Sequence, residues 1–384
     1  MTMTYNLTAT EHAAGMADYI EDGNRLALGL GNRGPIKLDA DGMLTADILA
    51  AYWQHGFYVF EGAIGADELA DLRADVQDVL DRAPVEDGAT LNRHGEPALG
   101  LEFELPSYRF AKPLSDPLGG TTKNKGRHPV KLVEPTPAAD APASIVQNLM
   151  GNLQMMDSCL RLYAHPGLLA AAASVLGVDF VPYNEVSFVK EPGLGPAVAW
   201  HRDGTTHWDA ADWEQGAHGF NFMAQLYPST AGNGVWVLPG SHKQKQVDIK
   251  QLMAESGSER LADAVPMVCA AGDVFMTNRQ LIHGSFANTS PDRRITLNAG
   301  FFARKRILNV TTARLLGAVE TFDADRIFER SRMIAVAADA RQQRFPGEER
   351  YPYEPMLGHE DDNRWNEETR LSVVKNYNLR DMYI

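Results

Sequence analysis

The chain has 384 residues, 44% of them hydrophobic, and a formal net charge of −14. That is ample for a sizeable buried core, and so acidic a chain repels phosphate, which argues against general binding to nucleic acid or an anionic membrane. Two cysteines, Cys159 and Cys269, are too few for a disulfide framework and fit a reducing compartment. No stretch is apolar for long enough to span a bilayer, and the first residues lack the basic start and apolar run of a secretory signal, so cytoplasm is the expected location.

In chain order, the first forty residues read as mixed and turn-rich, with Gly29, Gly31, Gly34 and Pro35 close together. A short helix is expected after Thr45, with Ile48, Leu49 and Tyr52 on one face. Phe57–Phe60 reads as a strand ended by Gly62. Leu69, Leu72, Val76, Val79 and Leu80 recur at three- and four-residue steps and predict an amphipathic helix. Residues 84–144 show no period, and an irregular segment of that length is expected to be a functional loop or lid. Helix is expected again over 144–163, with Leu149, Met150, Leu153, Met155, Met156 and Leu160 in its core. Another covers 165–176, where Pro166 fits the first turn and Gly177 stops it.

From Phe180 to Arg306 the texture changes. Short β-rich runs at 186–189, 197–200, 220–226, 235–238, 274–276 and 295–302 alternate with Gly, Pro and Asn turns, predicting an antiparallel sandwich or barrel. A helix over 323–342 and a polar, aromatic tail from Phe345 follow, with no internal repeat.

Within this β region stands Trp200-His201-Arg202-Asp203, with Ile282-His283-Gly284-Ser285 far downstream. On a strand, residues two apart face one side, so His201 and Asp203 can reach one metal while Arg202 points away. A distant histidine, His283, completes two imidazoles and one carboxylate on one face of an octahedron. Three positions stay open, as iron(II) needs to hold a bidentate oxo-acid and O2 together; a structural zinc site would close with a fourth protein ligand. Arg294 and Thr296 share a strand face after His283 and offer a guanidinium fork with a hydroxyl, suited to the distal carboxylate of 2-oxoglutarate. A one-residue slip in register would exchange Arg294 for Arg293.

These motifs in this order resemble the phytanoyl-CoA dioxygenase family: Lys190-Glu191-Pro192-Gly193, Trp200-His201-Arg202-Asp203, Asn233 through Lys243, Gly272-Asp273-Val274, His283-Gly284-Ser285 and Arg294. The early Gly56 to Gly62 and His165-Pro166 to Leu176-Gly177 are similar too, so the likeness covers roughly residues 45–80 and 160–305. It implies a mainly β fold with α additions, a double-stranded β-helix (jelly-roll, cupin-like) core flanked by helices. The whole of 1–384 would then be one oxygenase domain, with helical and loop support over 45–180, the jelly-roll at 181–306, and a C-terminal helix and tail at 307–384. It also implies iron(II) on His201, Asp203 and His283, with 2-oxoglutarate on Arg294 and Ser285 and Thr296 beside it. With O2, such an enzyme oxidises a C–H bond of a small metabolite and releases succinate and CO2. Halogenating relatives generally lack the carboxylate ligand, so Asp203 favours hydroxylation, desaturation or ring chemistry.

Other polar features carry weaker readings. The turn at 233–243 and Gly119 through Lys123 both lack the spacing of a phosphate loop. His242 reads as structural and His218 as a surface residue. Thr205, His207 and Trp208, on the loop leaving the metal strand, are candidate substrate contacts, or else a polar loop with one anchoring aromatic. Lys123, Lys125, Arg127, His128 and Lys131 form the one basic run, either a solvated loop or a lid that meets an anionic substrate. Two further functions compete with the oxygenase: a catalytically idle jelly-roll binding protein, and a metal enzyme using the same ligands without 2-oxoglutarate. The four intact residues His201, Asp203, His283 and Arg294 argue against the first, and the Arg294–Thr296 pair against the second. His201→Ala or Asp203→Ala is expected to abolish turnover with little loss of folding, checked by assaying purified variants alongside their thermal unfolding.

Overall fold

A capping box opens the first helix, α1 (Ala9–Gly29): the Thr8 hydroxyl accepts from the Glu11 amide, and the Glu11 carboxylate accepts from the Thr8 amide. In this computed structural model, which describes residues 7–103, 106–203, 219–313, 319–375 and 377, the turn-rich reading of the first forty residues is therefore corrected. Only the part from Gly31 onward is turn-like, and Gly29 is the last residue of a long helix. The local glycine signal loses to tertiary packing. Tyr19 of α1 stacks on Trp236 with ring centroids 4.3 Å apart, and Gly23 makes room for the same indole.

After β1 (Arg33–Gly34), the elements α2 (Ala46–His55), β2 (Phe57–Phe60) and α3 (Ala66–Asp81) form where the apolar periodicity places them. Gly56 closes α2 at φ +85°, and a Cβ there would lie 2.4 Å from the His242 ring. Next come β3 (Tyr108–Ala111) and β4 (Ile145–Leu149). The second corrects the helix expected from residue 144. β4 pairs antiparallel with β3 on one edge and with the next strand on the other, and that ladder outweighs the local helical period. Helix resumes only as the short α4 (Asn152–Met155) and α5 (Asp157–Leu162), so Leu149 and Met150 are not helix core. In α6 (Pro166–Leu176) the His165 side chain caps the first turn and Gly177 ends the last.

The rest is largely strand: β5 (Phe180–Lys190), β6 (Val198–His201), β7 (Phe220–Gln225) and β8 (Trp236–Val237) precede α7 (Ile249–Ser256). Then follow β9 (Val265–Pro266), β10 (Val274–Asn278), β11 (His283–Ser285) and β12 (Arg294–Ala303). A short α8 (Arg304–Ile307), the ribbon of β13 (Thr311–Ala313) and β14 (Val319–Thr321), and α9 (Ala324–Arg344) complete the principal elements.

Eight strands form a major sheet in the order β1-β2-β10-β7-β12-β5-β4-β3, antiparallel except for β1–β2, and four form a minor sheet, β6-β11-β8-β9. The period of two assigns the faces of the major sheet. Phe220, Phe222 and Ala224 of β7 and Ile295, Leu297 and Phe301 of β12 join the core cluster that includes residues of α5, α6 and α9. The alternate residues, Met223 of β7 with Arg294, Thr296 and Asn298 of β12, line a cavity walled opposite by Val198, His201, His283 and Ser285 of the minor sheet. This is a mainly β core with helices packed outside it. Gly23→Ala separates propensity from packing. A helical alanine is worth about 1 kcal/mol over glycine, but its Cβ would sit 2.4 Å from the buried Trp236 ring. We expect a net loss of about 1–3 kcal/mol, read as a lower melting temperature.

Candidate active site

Three side chains converge where β6 ends and β11 begins. The antiparallel register sets His283 directly opposite His201, and the ligand atoms of His201, Asp203 and His283 all lie within 4.8 Å of one another. Asp203 is not on the strand itself, because β6 stops at His201. Its backbone amide is held instead by the Arg279 carbonyl at 3.0 Å. The Asp203 Oδ1 lies 3.5 Å from Nε2 of His201, and Oδ2 lies 3.9 Å from Nε2 of His283. Arg202 points away as expected, donating to the carbonyls of Ser241, Gln244 and Lys245.

The tautomers follow from the backbone. Nδ1 of His201 lies 2.8 Å from the Ala199 carbonyl, and Nδ1 of His283 lies 3.0 Å from the Leu281 carbonyl. A carbonyl can only accept, so each Nδ1 carries the proton and each Nε2 turns a lone pair toward Asp203. Burial, then the neighbouring His201, pushes the His283 imidazole down to about 4. Burial opposes ionisation of Asp203, but positive charge around it, from His283 and His201 whenever Nε2 is protonated and from Arg127 and Arg279, outweighs it and holds the carboxyl well below its usual range. Two neutral imidazoles and a carboxylate are the donor set that iron(II) takes while keeping positions open.

Arg294 opens β12, is 2% exposed, and presents Nε and Nη1 with no hydrogen-bond partner among the described residues. A buried donor left unmade is costly, and this one faces the metal cavity. Thr296 lies two residues on, its hydroxyl donating to Gln225. Ser285 donates to the Gly234 carbonyl and accepts from Lys190, whose ammonium also donates to the Phe286 carbonyl. Arg293 faces the other way, bound to Glu191 and Gln77, so the register puts Arg294 and not Arg293 in the cavity.

The cavity, counting the part open to solvent, spans about 1010 Å³. The 84–144 segment contributes Arg109 of β3 and Leu118, Asn124, Arg127 and His128 to its lining. The basic run therefore divides. Lys123, Lys125 and Lys131 are exposed, whereas Nη1 of Arg127 lies 3.6 Å from Asp203 and the His128 ring lies 4.2 Å from that of His201. His242 is structural, buried against the Trp53 carbonyl. Thr205, His207, Trp208 and His218 lie outside the described residues.

Asn221 beside the site was not named from the sequence, and Lys190 entered there only as part of a motif. Nδ2 of Asn221 donates to Asp203 Oδ2 at 2.6 Å. Its signal was available, since Asn221 and Gln225 interrupt an otherwise apolar strand on one face. Lys190 pairs in register with Arg294, and burial, then Arg294, drives its ammonium well below the usual range.

With this geometry in view, the chain belongs to the phytanoyl-CoA dioxygenase family, whose model matches residues 52–296. It is accordingly a non-haem iron, 2-oxoglutarate-dependent dioxygenase. The multifunctional dioxygenase ausE of Aspergillus calidoustus is 24% identical over 258 residues, 65% of this chain and 70% of that protein. Phytanoyl-CoA dioxygenase 1 of Oryza sativa subsp. japonica is 31% identical over 120 residues, 28% of this chain and 40% of that one. Among solved structures, EctD from S. alaskensis with 2-oxoglutarate and 5-hydroxyectoine is 19% identical, covering 74% of this chain and 84% of its own at a TM-score of 0.48. The epimerase SnoN from nogalamycin biosynthesis is 15% identical over 66% and 78% of the two chains, with a TM-score of 0.43. No described helix is long and apolar enough to cross a membrane.

Asn221→Leu removes the donor that orients Asp203. Losing such a partner is expected to weaken metal binding roughly 10- to 100-fold, checked by cobalt(II) titration with the melting temperature of the metal-free protein as control.

Proposed function

We propose that His201, Asp203 and His283 hold the iron, that Arg294 with Thr296 and Ser285 holds 2-oxoglutarate, and that the enzyme hydroxylates an unactivated C–H of a small-molecule metabolite. The observation that carries this reading is the convergence of the three donors beside an unpartnered, buried guanidinium in one cavity. When bound, iron supplies activation of O2, through which C–H, O2 and 2-oxoglutarate become C–OH, succinate and CO2.

The protein's own contribution is to hold and to exclude. The carbonyls of Ala199 and Leu281 fix both imidazoles with Nε2 inward, and Asn221 orients the carboxylate, so the donor set needs little rearrangement. Arg294 offers a charged fork for the distal carboxylate, and Thr296 and Ser285 bring hydroxyls to the same wall. Asp203 fills the third ligand position, which favours hydroxylation over halogenation. The 84–144 segment serves as the lid, since Leu118, Arg127 and His128 cover the metal face from outside the two sheets. We further read strands β5 to β12 as the jelly-roll at 181–306 within a single oxygenase domain; β1 to β4 extend its major sheet, so the 45–180 support is not only helix and loop.

Anaerobic addition of iron(II) and 2-oxoglutarate is expected to give a weak visible charge-transfer band. Tight zinc binding with no response to the oxo-acid would refute the assignment. Arg294→Ala should raise the dissociation constant for 2-oxoglutarate roughly 10- to 100-fold while metal affinity stays near wild type; an unchanged constant would remove Arg294 from the clamp.

A further inference from the structure

The lid carries two side chains that the oxygenase chemistry does not use. Arg127 and His128 stand next to each other after a short 3-10 turn, Lys123–Gly126, and both turn inward. The segment that carries them is well anchored. Asp116 accepts from the amides of Gly119 and Leu132, its own amide donates to Glu134, and the Gly120 amide donates to the His128 carbonyl. His128 is fully buried, and neither ring nitrogen has a hydrogen-bond partner among the described residues. Nε of Arg127 is buried and unpartnered in the same way.

Charge accounting shows what these groups await. Asp203 is the one carboxylate among the described residues lining the cavity. Among the described residues, Arg127 forms an ion pair with Asp203 alone. On the assignment above, iron(II), Asp203, dianionic 2-oxoglutarate and Arg294 sum to zero. Asp203 is then committed to a dication, and Arg127 is left as a cation beside a cation in a poorly solvated place. Opposite charge must arrive with something else. A neutral imidazole next to it offers one donor and one acceptor.

We propose that Arg127 and His128 form the recognition site for an anionic oxyacid group, carboxylate or phosphate, on the substrate. This rests on the assignment of the iron and 2-oxoglutarate sites. Arg127 takes the charge through its fork, as guanidinium does for planar or tetrahedral oxyanions. His128 donates to the same group or to its immediate neighbour, and the two hold the substrate across the metal face.

Fluorinated phenylacetate, phenylacetamide and phenyl phosphate test this by fluorine NMR on the full chain loaded with zinc(II) and 2-oxoglutarate. The expected result is that at least one anion binds roughly tenfold more tightly than the amide, and that Arg127→Gln reduces the preference below about twofold. His128→Asn should weaken the anion without affecting the amide. Which anion is preferred decides between carboxylate and phosphate. Equal binding of all three probes, no anion binding, or an undiminished preference in Arg127→Gln would overturn the proposal. So would loss of 2-oxoglutarate affinity in Arg127→Gln, which would give the arginine to the co-substrate; unchanged affinity shows the variant is folded. Wild-type protein that fails to bind 2-oxoglutarate sinks the co-substrate assignment itself, an outcome distinct from any result with the anion probes.

Discussion

The pairing of β6 with β11 is the constraint from which the site follows. It sets His201 opposite His283, and the backbone carbonyl two residues before each histidine aims its ring. Once those two imidazoles are fixed, Asp203 has little choice. Its amide is tied to Arg279, its Oδ2 to Asn221, and the positive surroundings keep it ionised. The minor sheet thus supplies the two imidazoles of the proposed metal site, with Asp203 just beyond the end of β6, and the major sheet contributes Asn221, Arg294 and Thr296 to the same cavity region.

The cost of this arrangement is concentrated on the cavity wall. Lys190 and Arg294 are buried side by side on paired strands. Lys190 is compensated within the protein by Ser285 and the Phe286 carbonyl. Arg294 keeps two donors unpartnered, and burial lowers its guanidinium to about 10. Of these two neighbouring basic groups, one is satisfied within the fold and the other is not, a division that fits the binding role proposed for Arg294.

The sequence made the β region and the donor set legible because both follow short-range rules. Short β-rich runs bounded by turn residues located β5, β6, β7, β8, β10 and β12, and a His-x-Asp step with a distant histidine picked out the three side chains that converge. What the sequence did not reveal has a common cause. α1 depends on Trp236 and β4 on strands from either side, so neither is visible in a local window. Asp203 reaches the site, but by the grip of Arg279 and Asn221 rather than by strand alternation. The basic run at 123–131 could not be divided into outward lysines and the inward Arg127 and His128 without the path of the lid.

The bracing of each histidine by its own strand has an evolutionary corollary. Neither ring draws its Nδ1 partner from residues 84–144. Changes in that segment outside β3, which belongs to the major sheet, therefore leave the hydrogen bonds that aim the imidazoles untouched. The reactive centre and the device that chooses its prey are free to diversify at different speeds.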